Sequence, residues 1–434
     1  MSDSSRGEAA AIAAAGAPRP GFEGLDLAMA DAPKRYLLGT HRTCAPEETL
    51  ARLRPLLSGM GITRIANVTG LDRTGIPVVM VCRPNSRSVA VAQGKGLTLA
   101  AAKASGVMEA VEVWHGEHIV KPLRLASFEE MRREHWVADV TQLPSASGSA
   151  FTPHLPLLWI EGEDLLGGGA IWLPFELVST NYTLPLPPGS ACFQANTNGL
   201  ASGNHALEAI GHGLCEVVER DATTLWKLQS PRSREDRMLD PETIDDPHCR
   251  SVLERLRAAN LQVGLWETTS DVGVASFVCL LMEAEGEFAD PEFGTGCHPV
   301  RQVALLRALT EAAQARNTYI SGARDDYPVD AWDGSYRRRR QAFCRRLMTS
   351  SKPRRSFAHV PSFESPSLDG DLRWLLARLR SAGIEQAIAV DLSKEAVGVP
   401  VLRVVVPGLE GPMEDADGDY APGPRARRWM RGQG

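Results

Sequence analysis

The stretch NTNGLASGNHALEAIGHGLCEVVERDA, Asn196–Ala222, decides how the rest of the chain is read. Taken as a helix from Asn204 at about 3.6 residues per turn, it sets His205, Glu208, His212, Glu216 and Glu219 on one narrow stripe. Leu207, Ile210, Leu214, Val217 and Val218 occupy the other side. The pattern alone supports two readings: an amphipathic helix with a wet polar face, or a row of metal ligands.

A second helix is expected over Leu97–Glu117, after a turn at QGKG, and it bears on the same question. Nearly every residue in it is apolar, yet Glu109 and Glu112 stand one turn apart. Two buried like charges are costly unless a cation compensates them. With Glu216 and Glu219 they make two Glu-x-x-Glu helices. Oxygen-only ligation suits Mg2+, whereas adding His205 and His212 would suit zinc or iron. No HExxH or comparable histidine spacing supports the latter. A third helix, Pro299–Thr318, carries Arg307 and Glu311 at i, i+4. They read as a surface ion pair, or as a phosphate-neutralising arginine beside a carboxylate for metal or proton transfer. GKG at Gly94–Gly96 lacks the GxxxxGK[ST] frame of a phosphate loop.

Around these helices, GITRIANVTG and IPVVMVCRP read as two strands about the turn LDRTG, and Ser127–Pro188 as antiparallel strands between Gly/Pro turns. A helix near Arg250–Ala259, the strands VGLWET and VASFVCLLME, the helix DLRWLLARLRSAG and the strands EQAIAVDL and VPVLRVVVP complete the pattern. The fold class is therefore α/β of mixed, α+β character, with more than one sheet packed by helices. Residues 1–30 read as a disordered tail, 31–424 as one domain and 425–434 as a flexible Pro/Gly/Arg tail. The net charge of −6 argues against a general nucleic-acid binder. The basic run Arg337–Arg346 reads as a solvated helix face rather than an anion site. Eight scattered cysteines without a CxxC pair fit a reducing cytoplasm. No apolar run is long enough to span a bilayer.

GNHALEAIGHGLCEVVERDA resembles the core motif of the YcaO superfamily, an Asn with a Glu following and then an ExxER box. ASGVMEAVE is similar to that family's Ser-x-x-x-Glu-x-x-Glu element, and RALTEAAQAR to its third motif. RTCAPEETL resembles its Lys-x6-Ser element, with Arg42 for Lys and Thr49 for Ser. The motifs run in order over roughly Arg35–Pro424. The resemblance implies an ATP-dependent enzyme that activates peptide backbone amides, with a Mg2+–ATP site built without a P-loop. Carried over, Glu109, Glu112, Glu216 and Glu219 hold Mg2+. Asn204, Glu208, Ser105, Gly106, Arg42, Thr49 and Arg220 line the nucleotide. Arg307 meets the phosphates and Glu311 supports that end, the two being the catalytic pair; the histidines become bystanders.

The nucleophile sets the product: a peptide Cys, Ser or Thr gives an azoline, sulfide a thioamide, an amine an amidine. Azoline-forming relatives often end in PxPxP, whereas this chain ends YAPGPRARRWMRGQG. GTHRT and GITRIANVTGLDRTGIPVVMVCRPNSRS look like members paired with a TfuA partner, so thioamidation of a ribosomal peptide or protein is the leading expectation. An azoline-forming cyclodehydratase is the alternative within the family. A non-catalytic peptide-docking protein and a His/Glu metalloenzyme are the alternatives outside it. Homodimerisation is left open.

Overall fold

The computed structural model describes residues 32–283, 290–323, 334–350, 352–413 and 420–431, so the expected tail at 1–30 lies outside the described residues. In chain order come α1 (Pro46–Leu53), β1 (Arg64–Asn67), β2 (Val78–Cys82), β3 (Val91–Lys95), α2 (Leu99–Glu117), β4 (Leu123–Ala126) and α3 (Phe128–Glu134). Next are β5 (Leu157–Asp164), β6 (Ala170–Pro174), β7 (Leu200–Ser202), α4 (Ala206–Lys227), α5 (Pro231–Glu235), α6 (Pro247–Ala258), β8 (Leu261–Glu267), β9 (Ser276–Glu283) and β10 (Glu292–Cys297). The last are α7 (Arg301–Ser321), α8 (Gly334–Ser350), α9 (Leu368–Ser381), β11 (Ile388–Asp391), β12 (Val401–Val405) and α10 (Pro424–Arg431).

Three sheets result, each antiparallel throughout. Two are small, ordered β1-β2-β3 and β10-β9-β8; the third runs β4-β5-β11-β12-β7, with β6 also on β5. The middle strands β2 (VVMVC) and β9 (SFVCLLME) are near-continuous β-branched or apolar runs, buried by a neighbour on each side. The mixed architecture with several sheets is the one expected.

Each small sheet ends in a strand on which a helix lies at unusually short range, and glycine makes that possible. A Cβ added at Gly94 on β3 would meet Ala102 O of α2 at 2.0 Å. One added at Gly294 on β10 would meet Ala312 N of α7 at 2.2 Å. Strand alternation then turns the residues beside these glycines to the opposite face. Gln93 accepts from Thr318 Oγ1 and Lys95 donates to Glu311, so β3 lies between α2 and α7. Thr295 on β10 reaches Glu219 on α4. α4 also packs on the large sheet: Leu207, Ile210, Leu214, Val217 and Val218 are buried in one cluster with Leu402 and Val404 of β12. These contacts bring the polar edges of α2, α4 and α7 together.

Two expectations are corrected, and one strand went unread. QGKG is not a turn, because Gln93, Gly94 and Lys95 belong to β3; glycines that read as loop are there to admit α2. EFGTGC likewise forms a strand, β10, that its composition hides. The segment expected to be a flexible tail from residue 425 begins with helix α10, in which Arg425 is buried against Asp221 and Asp271. The basic run on α8 behaves as read: Arg337 and Arg340 turn to Asp290 and Glu292, while Arg338, Arg339, Arg345 and Arg346 are exposed.

Candidate active site

Glu109 and Glu112 lie on the face of α2 that also carries Ser105, at spacings of four and three residues. Glu112 Oε1 accepts from Ser202 N at 2.8 Å and Ser202 Oγ at 2.6 Å, tying α2 to β7. Burial pushes Glu112 up to about 8, opposed by the Ser202 hydrogen bond and reinforced by the charges of Glu109 and Glu216. On α4, burial likewise raises Glu216 to about 7, against the pull of Arg220, whose guanidinium lies 3.9 Å away. Glu219 is raised by burial and by Glu311, although Thr295 Oγ1 donates to its Oε1 at 2.5 Å.

Glu311 on α7 goes the other way. Burial would raise it, but the Lys95 ammonium at 2.5 Å, with Arg220, holds it down to about 2. Its second oxygen accepts from Thr295 N at 3.2 Å and lies 3.0 Å from Thr295 Oγ1. A hydrogen-bonded row therefore runs Lys95–Glu311–Thr295–Glu219 from β3 across α7 and β10 to α4.

The amino end of α4 holds a second network. Glu208 is almost fully buried, and its carboxylate accepts from Thr43 N (2.5 Å), Thr43 Oγ1 (2.7 Å) and Asn204 N (2.8 Å), with Arg42 Nη1 at 3.8 Å. Asn204 Oδ1 accepts from Thr49 Oγ1 at 3.0 Å and Arg52 Nη2 at 2.5 Å. Arg42, Thr49, Asn204 and Glu208 thus form one cluster where the loop at Arg42 enters α1. Arg307 donates to Cys297 O at 3.3 Å and stands within charge range of His41, His212 and His298.

Two expected roles change. Gly106 faces the sheet, where an added Cβ would meet Gly94 N and Val81 Cγ2 at 3.0 Å, so it is a packing glycine. Of the two demoted histidines, His205 is a helix cap whose Nδ1 accepts from Leu207 N at 3.2 Å. His212 instead sits beside the site: burial, then Arg307, Arg42 and Lys95, keep its imidazole neutral well below the usual range. His41 and His298 extend that neutral group, their rings edge-on at 5.0 Å.

Sequence reasoning missed Lys95, Thr295, Thr43, Ser202 and Arg403. Arg403 on β12 is 2% exposed, donates to Asn196 O at 2.8 Å and pulls on Glu216. Each reaches the cluster through strand pairing or a loop, for which local sequence carries no signal; only the GKG tripeptide hinted at Lys95.

The donor set fits Mg2+ with phosphate. Burial and mutual repulsion disfavour the charged forms of Glu112, Glu216 and Glu219, and a hard divalent cation reverses that cost. Among the described residues no three His, Cys, Asp or Glu side chains converge closely enough to hold a metal unaided. Mg2+ is ordinarily held by one or two carboxylates plus waters and substrate phosphates rather than by an all-protein cage. No helix of the described residues is long and apolar enough to cross a membrane.

Residues 93–410 match the family model described as YcaO cyclodehydratase, ATP- and Mg2+-binding. The chain is 35% identical to an uncharacterized protein in the tfuA 3' region of Rhizobium leguminosarum bv. trifolii, covering 90% of this chain and 93% of that one. It is also 35% identical to an uncharacterized protein of Methanothermobacter thermautotrophicus, over 84% and 94% of the two chains. Among solved structures, YcaO from Methanopyrus kandleri bound with AMPPCP and Mg2+ superposes with a TM-score of 0.71 at 24% identity, covering 89% of this chain and 99% of that one. A heterocyclase in complex with substrate and cofactor gives 0.74 at 21% identity, over 91% of this chain and 55% of that longer one. At such identities the likeness is one of fold.

Proposed function

The chain belongs to the YcaO family, and from that membership we propose that it uses Mg2+–ATP to convert a peptide backbone amide into a thioamide. The observation that carries the ATP reading is the carboxylate cluster of α2 and α4, self-repelling, flanked by cations, and half-buried except for the buried Glu219. The thioamide reading is supported by the relative in the tfuA 3' region, and it calls for a TfuA-like partner and a sulfur donor. The substrate is a ribosomally made peptide or a protein, modified by one catalytic domain that runs from about residue 31 and includes α10.

Mg2+, when bound, would draw off the negative charge that develops on the phosphates. Glu109, Glu112, Glu216 and Glu219 would hold it together with waters and phosphate oxygens. Asn204, Thr49, Arg42 and Ser105 position the nucleotide, while Arg220 and Arg307 neutralise phosphate. Glu208 acts through its hydrogen bonds, fixing the loop that leads into α1 on α4. Hydrosulfide adds to the amide carbonyl, the carbonyl oxygen takes the γ-phosphoryl group of ATP, and it leaves as inorganic phosphate. Sulfur has then replaced oxygen, with ADP as the other product. The protein's share is to orient these groups and to stabilise charge.

The test is incubation of the purified chain with a TfuA-like protein, ATP, Mg2+, sulfide and a candidate peptide. A gain of about 16 mass units, sulfur for oxygen, with ATP turnover, is expected. A loss of about 18 units, one water, would instead assign the azoline reaction, which the family's description as cyclodehydratase favours as the second reading. Glu109→Ala and Glu216→Ala should each abolish Mg2+-dependent ATP binding; variants that bind normally overturn the site assignment.

A further inference from the structure

Lys95 has no part in the roles assigned so far, yet its setting is that of a ligand-facing group. Gly94 and Gly96 press onto the first turns of α2, where an added Cβ would meet Ala102 O at 2.0 Å and Ala101 Cβ at 2.7 Å. The backbone around Lys95 is therefore fixed, and alternation sends its side chain to the other face, toward α7. There Nζ donates to Glu311 Oε2 at 2.5 Å. Glu311 is itself held by Thr295 N, so the ammonium is anchored to two elements rather than swinging on a four-carbon stem.

An ammonium carries three donors and Glu311 takes one. Lys95 is 23% exposed, so the remaining donors are reachable from outside. Glu219 and His212 lie within its charge range, which sets it over the middle of the carboxylate stripe on α4. Glu311, with one oxygen on Lys95 and the other on Thr295, is already occupied and has no need of a metal.

We infer that Lys95 is a further phosphate-binding residue of this site, positioned by Glu311 and directed at a phosphoryl oxygen of the nucleotide. A compact ammonium is an effective point charge for phosphate, and a charge-assisted hydrogen bond is stronger than a neutral one. The opposite possibility is a plain tie between β3 and α7. The inference rests on the ATP reading above and assigns Glu311 a positioning role, without ligation of metal.

The experiment measures Mg2+-dependent binding of ATP and of inorganic tripolyphosphate, which has no base, to the full chain. Wild type, Lys95→Arg, Lys95→Met and Glu311→Gln are compared, each with its melting temperature. Lys95→Met is expected to weaken both ligands by about tenfold or more, the worth of one charge-assisted hydrogen bond. Lys95→Arg should restore most of that loss, and Glu311→Gln should fall between. Lys95→Met with a lowered melting temperature but unaltered affinity for both ligands would mean a structural tie and overturn the inference. Equal loss in Lys95→Arg and Lys95→Met, with wild-type melting, would overturn the point-charge role. A wild-type chain that binds neither ligand overturns the ATP reading and the inference with it. Wild-type binding that is indifferent to residue 95 overturns the inference alone.

Discussion

Glu311 and Glu219 are joined through one threonine and titrate in opposite directions, because only Glu311 has an ammonium in contact. An unfolded glutamate titrates near about 4.3, so a carboxyl held at about 2 stabilises the fold above that value. That stability is lost as pH falls from about 4.3 through about 2. Melting temperatures taken down the acid limb should therefore fall less steeply for Glu311→Gln than for wild type. Glu208 gives a different prediction. Its carboxylate binds three protein donors, so Glu208→Ala should loosen the loop that leads into α1 and raise KM for ATP severalfold. The Mg2+ concentration dependence should stay as it was; a shifted dependence would make Glu208 a metal ligand. The carboxylates themselves were legible, since Glu-x-x-Glu spacing on a helix survives translation into space. Lys95 and Thr295 were not, because the partners that give them meaning lie 216 and 76 residues away.

Helices were readable from their periodicity, and α2, α4 and α7 fall within a few residues of where the sequence sets them. Glycine-bearing strands were not. β3 and β10 owe their glycines to a helix packed against their faces, and that tertiary demand outweighs low strand propensity. Gly94→Ala forces a side chain into the backbone of α2 and should cost about 3 kcal/mol in chemical denaturation. Gly211 in α4, where an added Cβ meets nothing within 4 Å, is the control. There alanine should gain about 0.5–1 kcal/mol from helix propensity. A similar, small effect at both positions would mean that β3 and α2 are not seated as described.

Across the whole molecule the two ends of the described chain are fastened to the site helix. Arg42 and Thr43 hold its amino end through Glu208, while Arg425 pairs with Asp221, two residues past Glu219. Asp221 is fully buried and Arg425 nearly so, with Asp271 as the second anchor. Removing one partner of such a pair leaves an uncompensated charge, and Arg425→Ala should cost about 3–5 kcal/mol, read by denaturant titration. Arg427→Ala on the same helix should be close to neutral; equal effects would argue for general loss of the helix. Arg425 follows Asp221 by 204 residues. At roughly 5–20 residues per second, α4 emerges from the ribosome roughly 10–40 s before its counter-ion has been made. During that interval Asp221 must stay hydrated or protonated, so the helix bearing Glu216 and Glu219 settles only late. Nascent chains are thereby kept from assembling the carboxylate cluster while β11 and β12 of the sheet beneath it are still unmade.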